Sequence, residues 1–198
     1  PISFQERRLW PRYWLIDPLD GTKEFLKKND EFTINIALID QHKPILGVIF
    51  APALDVCYLA EDTKGAFKQI AQNRPQPLHS RAWEEGSTIT AAVSRRHGMN
   101  ALKIFLAQFE HLNLLHCGSA LKFCFLAEGL ADIYPRFSPT FEWDTAAGQC
   151  ILEQAGGAII DYKGKPLRYN MSSSLQKIAF LAVADKSHCW LNYLKASI

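Results

Sequence analysis

The chain has almost no excess of charge of either sign: 22 lysines and arginines stand against 20 aspartates and glutamates, a formal net charge of +2. So small an imbalance gives no case for a nucleic-acid surface, and it leaves any positive potential local, where it can serve a small anionic ligand. Long apolar runs are missing too. None approaches the roughly 18 residues of a membrane-spanning helix, and the first residues lack the layout of a signal peptide. The five cysteines, Cys57, Cys117, Cys124, Cys150 and Cys189, are widely spaced and form no Cys-x-x-Cys pair. That spacing indicates neither a zinc site nor a disulfide framework and points to a reducing, cytoplasmic setting. No internal repeat or low-complexity segment interrupts the chain. What it does have is apolar content, 48% over 198 residues, enough for a substantial core in one large domain or two small ones.

The stretch Trp14-Leu15-Ile16-Asp17-Pro18-Leu19-Asp20-Gly21-Thr22 organises the rest. Trp14 to Ile16 reads as the end of a buried strand, stopped by two acids that bracket Pro18. Pro18 cannot continue a ladder and disfavours helix at Asp17. The chain is therefore expected to turn there, with Asp17 and Asp20 facing one point that suits a hard divalent cation. Gly21 allows close backbone approach, and Thr22 to Leu26 reads as the start of a helix whose N–H groups would meet a phosphate. The plainer alternatives are a solvent-exposed turn for the acids and a helix N-cap for Thr22.

Around this stretch, Pro1 to Arg12 is polar and shows no sign of its own core. Phe32 to Phe50 reads as a β-hairpin turning at Gln-His-Lys-Pro, and Val56 to Ala60 with Gly65 to Gln69 extend it to an antiparallel meander. Arg74 to Gly86, with two prolines, is the expected connection between an antiparallel-sheet region, residues 1–86, and an α/β region, residues 87–198. Beyond it the rhythm becomes strand and helix in alternation: strand 88–93, helix 99–109, strand 111–116, helix 119–128, strand 131–134, a loop 135–139, helix 143–155, strand 158–161, strand 177–184 and a terminal helix. Such alternation predicts α/β layering.

Glu142-Trp143-Asp144-Thr145-Ala146-Ala147-Gly148 puts a further acid at the start of a helix rich in small residues. Asp-Pro-Leu-Asp-Gly-Thr followed by Trp-Asp-Thr-Ala-Ala-Gly resembles the paired signature of the lithium-sensitive, magnesium-dependent phosphatase superfamily that includes inositol monophosphatase. The pairing sets the exposed-turn alternative aside. The resemblance implies an α/β, or layered α+β, sandwich of the inositol-monophosphatase (sugar phosphatase) type. It also implies Mg2+, two or three ions, held by Asp17, Asp20, Asp144 and the backbone carbonyl of Leu19. Gly21 and Thr22 would contact the phosphate, with the Thr22 hydroxyl helping to activate water. Asp17, Asp20, Thr22 and Asp144 thus form the expected catalytic set. Ions gathered there would offset phosphoryl charge, lower the pKa of a bound water and stabilise the leaving alkoxide. Asp-Pro-Leu-Asp lacks the Asp-x-Asp-x-Thr arrangement of phosphatases that form an aspartyl phosphate, so water is the expected nucleophile. The family also carries a metal-binding Glu and a further acid upstream of the first motif. Only Glu6 precedes Asp17, in no matching context, and it is given no role. The chain therefore reads as missing the N-terminal helical portion, with apolar sheet surface expected to be exposed in consequence.

Lys23-Glu24-Phe25, Ser94-Arg95-Arg96-His97, Gly118-Ser119-Ala120-Leu121-Lys122-Phe123 and Tyr134-Pro135-Arg136-Phe137 resemble, more closely, the bacterial CysQ-type branch of 3′(2′),5′-bisphosphate nucleotidases. That likeness spans about Trp10 to Asp161. It implies magnesium-dependent removal of the 3′-phosphate from adenosine 3′,5′-bisphosphate, giving AMP and phosphate, with sulfated nucleotide also possible, an activity that in the family clears a by-product of sulfate assimilation. Ser94, His97, Gly118, Ser119 and Lys122 would bind the nucleotide, with Arg136 and Asp144 also on the substrate side. Ala120 stands where the nearest relatives would carry Ser. A ligand with two phosphates needs a second anion pocket, and these residues are of the types that make one. Each has a structural alternative: a surface position for His97, a helix cap for Ser119, solvated charges for Lys122 and Arg136. Phe123, Phe125, Tyr134 and Phe137 are expected to be core, and Trp143 to pack at its helix start. The functional alternatives are an inositol or sugar phosphatase and a catalytically inactive nucleotide-binding fragment. The expected partner is the small nucleotide, with no nucleic-acid polymer and no transmembrane segment. Location is read as cytoplasmic, with peripheral attachment to the cytoplasmic face of the inner membrane as an option, and the oligomeric state is left open.

Overall fold

The computed structural model describes residues 2–95, 100–177 and 179–195. The first half builds a six-stranded antiparallel sheet in chain order. Helix α1 (Phe4–Arg7) leads into β1 (Arg12–Asp20), and α2 (Thr22–Leu26) connects this to β2 (Thr33–Asp40). Strands β3 (Lys43–Ala51), β4 (Val56–Glu61), β5 (Gly65–Ile70) and β6 (Gln76–Leu78) complete the meander. The β2–β3 turn is tighter than the Gln-His-Lys-Pro expected. Gln41 and His42 both adopt positive φ, 45° and 67°, the twist a two-residue hairpin needs, and Lys43 is already in the strand.

The second half builds a five-stranded sheet ordered β11-β13-β9-β7-β8. Its strands are β7 (Ile89–Val93), β8 (Leu112–His116), β9 (Ile133–Arg136), β11 (Ala158–Ile160) and β13 (Phe180–Val183). Strand β7 runs parallel to β8 and β9, while β13 is antiparallel to both its neighbours. All four residues of β13 are buried, as a central strand covered on both faces requires. Helices α3 (Asn100–Leu106), α4 (Leu121–Ala127), α5 (Glu142–Gln154) and α6 (Leu191–Lys195) pack around it, and a small pair, β10 (Thr140–Phe141) with β12 (Gln176–Lys177), stands beside α5.

Helix α5 lies between the sheets. The inward side chains of the meander, Ala37, Ile39, Ile49, Ala51, Tyr58 and Ala60, share one apolar core with Ala147, Cys150 and Ile151 of α5 and Leu121 and Phe123 of α4. Small residues let the helix approach. A Cβ on Gly47 would fall 2.6 Å from the Ala147 carbonyl oxygen, so β3 accepts α5 only with glycine there. Each fully buried Ile or Leu in such a core contributes about 1.5–3 kcal/mol. On the opposite face of β1, Trp14 and Ile16 are 56% and 52% exposed, so of the run read as buried only Leu15 packs against the core.

Several expectations are corrected. Strand β1 does not end at Ile16 but runs on to Asp20 through Pro18. The 74–86 connection contains β6, whose Pro77 is tolerated because β6 is an edge strand. Pro135 and Arg136 belong to β9 rather than to a loop, and the 177–184 stretch is divided between β12 and β13. The N-terminal segment, read as coreless, forms α1 and buries Arg7, whose guanidinium donates to Asn170 Oδ1 and to the carbonyls of Ser172 and Ser173. Among the described residues no helix is long and apolar enough to cross a membrane.

Candidate active site

On a regular strand Asp17 and Asp20, three residues apart, would point to opposite faces. A bulge prevents this. Asp17 pairs with Asn35 and Asp20 with Thr33, so two residues of β1 oppose one of β2. The inserted residue re-aims Asp20 to the side that Asp17 occupies, and Pro18 fits because a bulge in an edge strand has no ladder bond to lose. The expected turn is thus a bulge, yet the convergence it was to produce is present. Asp144, in the first turn of α5, completes the group: one carboxylate oxygen from each of Asp17, Asp20 and Asp144 lies within 4.8 Å of the others.

The protein supports each carboxylate through one oxygen. Asp17 Oδ1 accepts from the Leu19 N–H at 3.0 Å, and Asp20 Oδ2 from Asn35 Nδ2 at 3.3 Å. Asp144 Oδ2 accepts from Thr140 Oγ1 at 2.5 Å and from the Phe141 N–H at 2.9 Å. Asn35 is in turn held by Thr33 Oγ1 at 3.0 Å. Beside Asp144 the ring of Trp143 stacks on Phe141 at 4.6 Å, the packing role expected of it.

Crowding of like charge in a desolvated place raises the acids. Burial, followed by the charges of Asp144 and Asp17, pushes Asp20 up to about 6, against partial relief from Lys122 and the Asn35 bond. Asp17 is raised chiefly by burial and further by Asp144. A cation among the three would remove both penalties, so this donor set fits a hard divalent ion.

The acids open into a cleft lined by Asp20, Gly21, Ser94, Gly118, Ser119, Lys122, Arg136 and Asp144. All eight were selected from the sequence. Asp17 joins through the carboxylate group rather than the wall, and Leu19, in the bulge, touches that group through its N–H on Asp17 Oδ1. Thr22 stands at the exposed start of α2, its hydroxyl 3.4 Å from the Leu19 carbonyl. Gly21, at φ 83°, is the cap residue in its place, which rules out Thr22 as N-cap. His97 lies outside the described residues.

Ser119 does not cap α4. The helix begins at Leu121, and Ser119 sits before it with φ 47°. Among the described residues its buried Oγ has no hydrogen-bond partner, and neither has the buried Nε of Arg136. Lys122 is not a solvated charge either: it is 2% exposed. Its ammonium donates to the Ser119 carbonyl at 2.7 Å and the Cys117 carbonyl at 3.4 Å, above the Tyr134 ring. Phe123 and Tyr134 are buried as expected, but they also line the cleft. Lys23, Glu24, Arg95 and Thr140 line it as well. They were not singled out as site residues, because only tertiary packing brings them there.

Two sheets enclose a helix, and carboxylates from a strand bulge and from that helix start meet at a cleft as an acidic centre able to hold a divalent cation. The chain belongs to the inositol monophosphatase family, whose model matches residues 5–186. It is 45% identical over 186 residues to the 3′(2′),5′-bisphosphate nucleotidase CysQ of Escherichia coli K12, covering 91% of this chain and 71% of that protein. It is 37% identical to CysQ of Haemophilus influenzae over 191 residues, 96% of this chain and 70% of that one. Among solved structures, CysQ of Bacteroides thetaiotaomicron superposes with a TM-score of 0.84 at 36% identity, over 94% of this chain and 74% of that chain. An inositol monophosphatase from Zymomonas mobilis shares the fold, with a TM-score of 0.80 at 22% identity, covering 98% of this chain and 73% of that one.

Proposed function

We propose that this cleft hydrolyses the 3′-phosphate of adenosine 3′,5′-bisphosphate to AMP and phosphate, with Mg2+, in the service of sulfate assimilation. The observation that carries the reading is the pair of orphaned polar atoms, Ser119 Oγ and Arg136 Nε, buried in the walls of a cleft that also gathers three carboxylates. Buried polar atoms are costly when unpaired, so their partners are expected to come from a ligand rich in oxygen acceptors. The likeness to CysQ enzymes names that ligand as a nucleotide bisphosphate.

Asp17, Asp20 and Asp144, with the Leu19 carbonyl, are the groups that would hold magnesium. When bound, Mg2+ neutralises phosphoryl charge, acidifies water and stabilises the departing alkoxide. The chain's own residues do the rest. Ser119, Lys122 and Arg136 orient the nucleotide against the acids, Gly21 leaves room for the phosphate, and the Thr22 hydroxyl orients the attacking water. The water oxygen bonds to phosphorus, the bond from phosphorus to O3′ breaks, and the water's proton ends on O3′.

The test is phosphate release from adenosine 3′,5′-bisphosphate with and without Mg2+, beside inositol 1-phosphate, with Asp17→Asn as control. Magnesium-dependent release selective for the bisphosphate is expected. Equal release from both esters, or turnover retained by Asp17→Asn, would overturn the reading.

A further inference from the structure

Helix α5 begins on a residue that cannot cap it in the usual way. The N-cap position is held by Phe141, whose ring offers the free N–H groups of the first turn no oxygen. The reciprocal half of a cap is present instead: Asp144, three residues on, accepts from the Phe141 N–H through Oδ2 at 2.9 Å. The hydroxyl that a cap would carry stands one residue earlier, on Thr140, and reaches the same oxygen at 2.5 Å. Oδ2 is thus doubly held in the service of the helix. Among the described residues no protein donor engages Oδ1, which is left for a cation in the group formed with Asp17 and Asp20.

Thr140 is itself held in place. It is buried in the wall of the cleft, and its strand β10 is fixed from two sides. Thr140 pairs with Lys177 of β12, and Arg136 Nη2 donates to the carbonyl of the preceding Pro139 at 3.3 Å. Just beyond, the Glu142 N–H donates to the Leu175 carbonyl at 2.9 Å. A β-branched side chain on a fixed strand has few χ1 choices, so the hydroxyl has little freedom to point elsewhere. It has one proton, and the bond that proton makes to Asp144 has the short length of a hydroxyl on a carboxylate. Asp17 and Asp20 are supported through longer bonds, at 3.0 Å from the Leu19 N–H and 3.3 Å from the Asn35 amide.

We infer that Thr140 is a positioning residue: without touching the cation, it holds the Asp144 carboxylate in the rotation that aims Oδ1 at the point shared with Asp17 and Asp20, and so sets how tightly the ion is held. The inference rests on the metal part of the reading above and is independent of which phosphate ester the cleft accepts. Groups that stand behind a metal ligand in this way account for about 10–100-fold in metal affinity. Without the hydroxyl, the carboxylate is free to turn about the one remaining bond from Phe141.

The test is Mn2+ binding in the absence of substrate, read from the paramagnetic resonance of the free ion, to the natural protein, Thr140→Val, Thr140→Ala and Thr140→Ser. Mn2+ takes the same oxygen donors in the same octahedral geometry as Mg2+. Thr140→Val keeps the branched shape and loses the hydroxyl, so affinity should fall about tenfold or more, and Thr140→Ala should do the same. Thr140→Ser keeps the hydroxyl and should recover most of the loss. Melting of the metal-free forms separates the two roles open to Thr140: a side chain that only held β10 in place would lower the melting temperature and leave Mn2+ affinity where it was. Unchanged affinity in whichever of Thr140→Val and Thr140→Ala folds, or affinity lowered equally by Thr140→Ser, would overturn the inference. A natural protein that binds no Mn2+ would overturn the metal reading and the inference together. The expected order of affinities in a protein that releases no phosphate from the bisphosphate would sink the nucleotide reading alone.

Discussion

The Lys177 ammonium lies 2.8 Å from Glu142 Oε1, inside the protein, two residues before Asp144. Glu142 is 1% exposed and also accepts from the Asn170 N–H with both oxygens, at 3.0 and 2.9 Å. Lys177 donates onward to the Arg168 carbonyl at 2.6 Å. The strand pair β10–β12 and the start of α5 are thereby locked together, which fixes the backbone that carries Asp144. Lys177→Met should cost about 3–5 kcal/mol, because it strands a buried carboxylate. Glu142→Gln combined with Lys177→Met should recover some of that loss. Urea unfolding of the two variants beside the natural protein measures both.

Protonation of Asp20 opposes metal binding. Its folded pKa, about 6, lies above the ordinary 3.8, so the folded state holds this proton more tightly than the unfolded chain. The metal-free protein therefore gains stability from this group as pH falls through about 6 and loses that gain as pH rises again. Magnesium favours the ionised form and acts in the opposite sense. The rise in melting temperature on adding Mg2+ should be large near about pH 7.5 and vanish near about pH 5. A shift independent of pH would contradict this, and Asp20→Asn should abolish the shift throughout.

Lys122 joins the acids to the Gly118–Ser119 turn. Lys122→Met removes the cation that restrains Asp20, so the Asp20 pKa should move further up, and it frees the carbonyls of Ser119 and Cys117. Turnover of the bisphosphate should fall about a hundredfold or more, as when a positioned donor is removed from an active site. The pH below which activity is lost should also move upward. A pH–rate profile separates this from simple loss of packing, which would leave the profile in place.

Arg7 ties α1 to the 170–173 segment next to Glu142. Replacing it with alanine should cost about 2 kcal/mol through the hydrogen bonds it abandons, read from the urea midpoint. The Asn170 side chain also donates to the Arg7 carbonyl at 2.6 Å. That bond survives the substitution, and Asn170→Ala should therefore be at least as damaging.

What the sequence made legible follows the range of the forces involved. The meander and the alternation after residue 87 are local patterns of apolar spacing and turn residues, and they were readable. The convergence of Asp17, Asp20 and Asp144 was readable only through motif resemblance, since Asp144 lies far along the chain. Pro18 was misread as a stop because the rule against proline in strands applies to ladder positions, whereas an edge strand with a bulge has none to lose there. Thr140, Asn35 and the Glu31–Arg95 pair gave no local signal. Asn29–Asp30–Glu31 looks like any polar turn until packing sets it against Arg95, 64 residues away. Arg7 was hidden for the same reason, its partners lying 163 to 166 residues on.

The single hydrogen-bonded oxygen on each of Asp17, Asp20 and Asp144 bears on denticity. With Oδ1 of Asp17 and Oδ2 of Asp20 and Asp144 accepting from protein donors, the other oxygen of each carboxylate keeps both lone pairs for a cation in the cleft. Calcium seeks six to eight oxygens, commonly including bidentate carboxylates. Magnesium, smaller and octahedral, takes monodentate acids readily and fills its remaining positions with water or substrate oxygen. The Leu19 N–H and the two side-chain donors, Asn35 and Thr140, thus fix how each acid presents its second oxygen to the cleft.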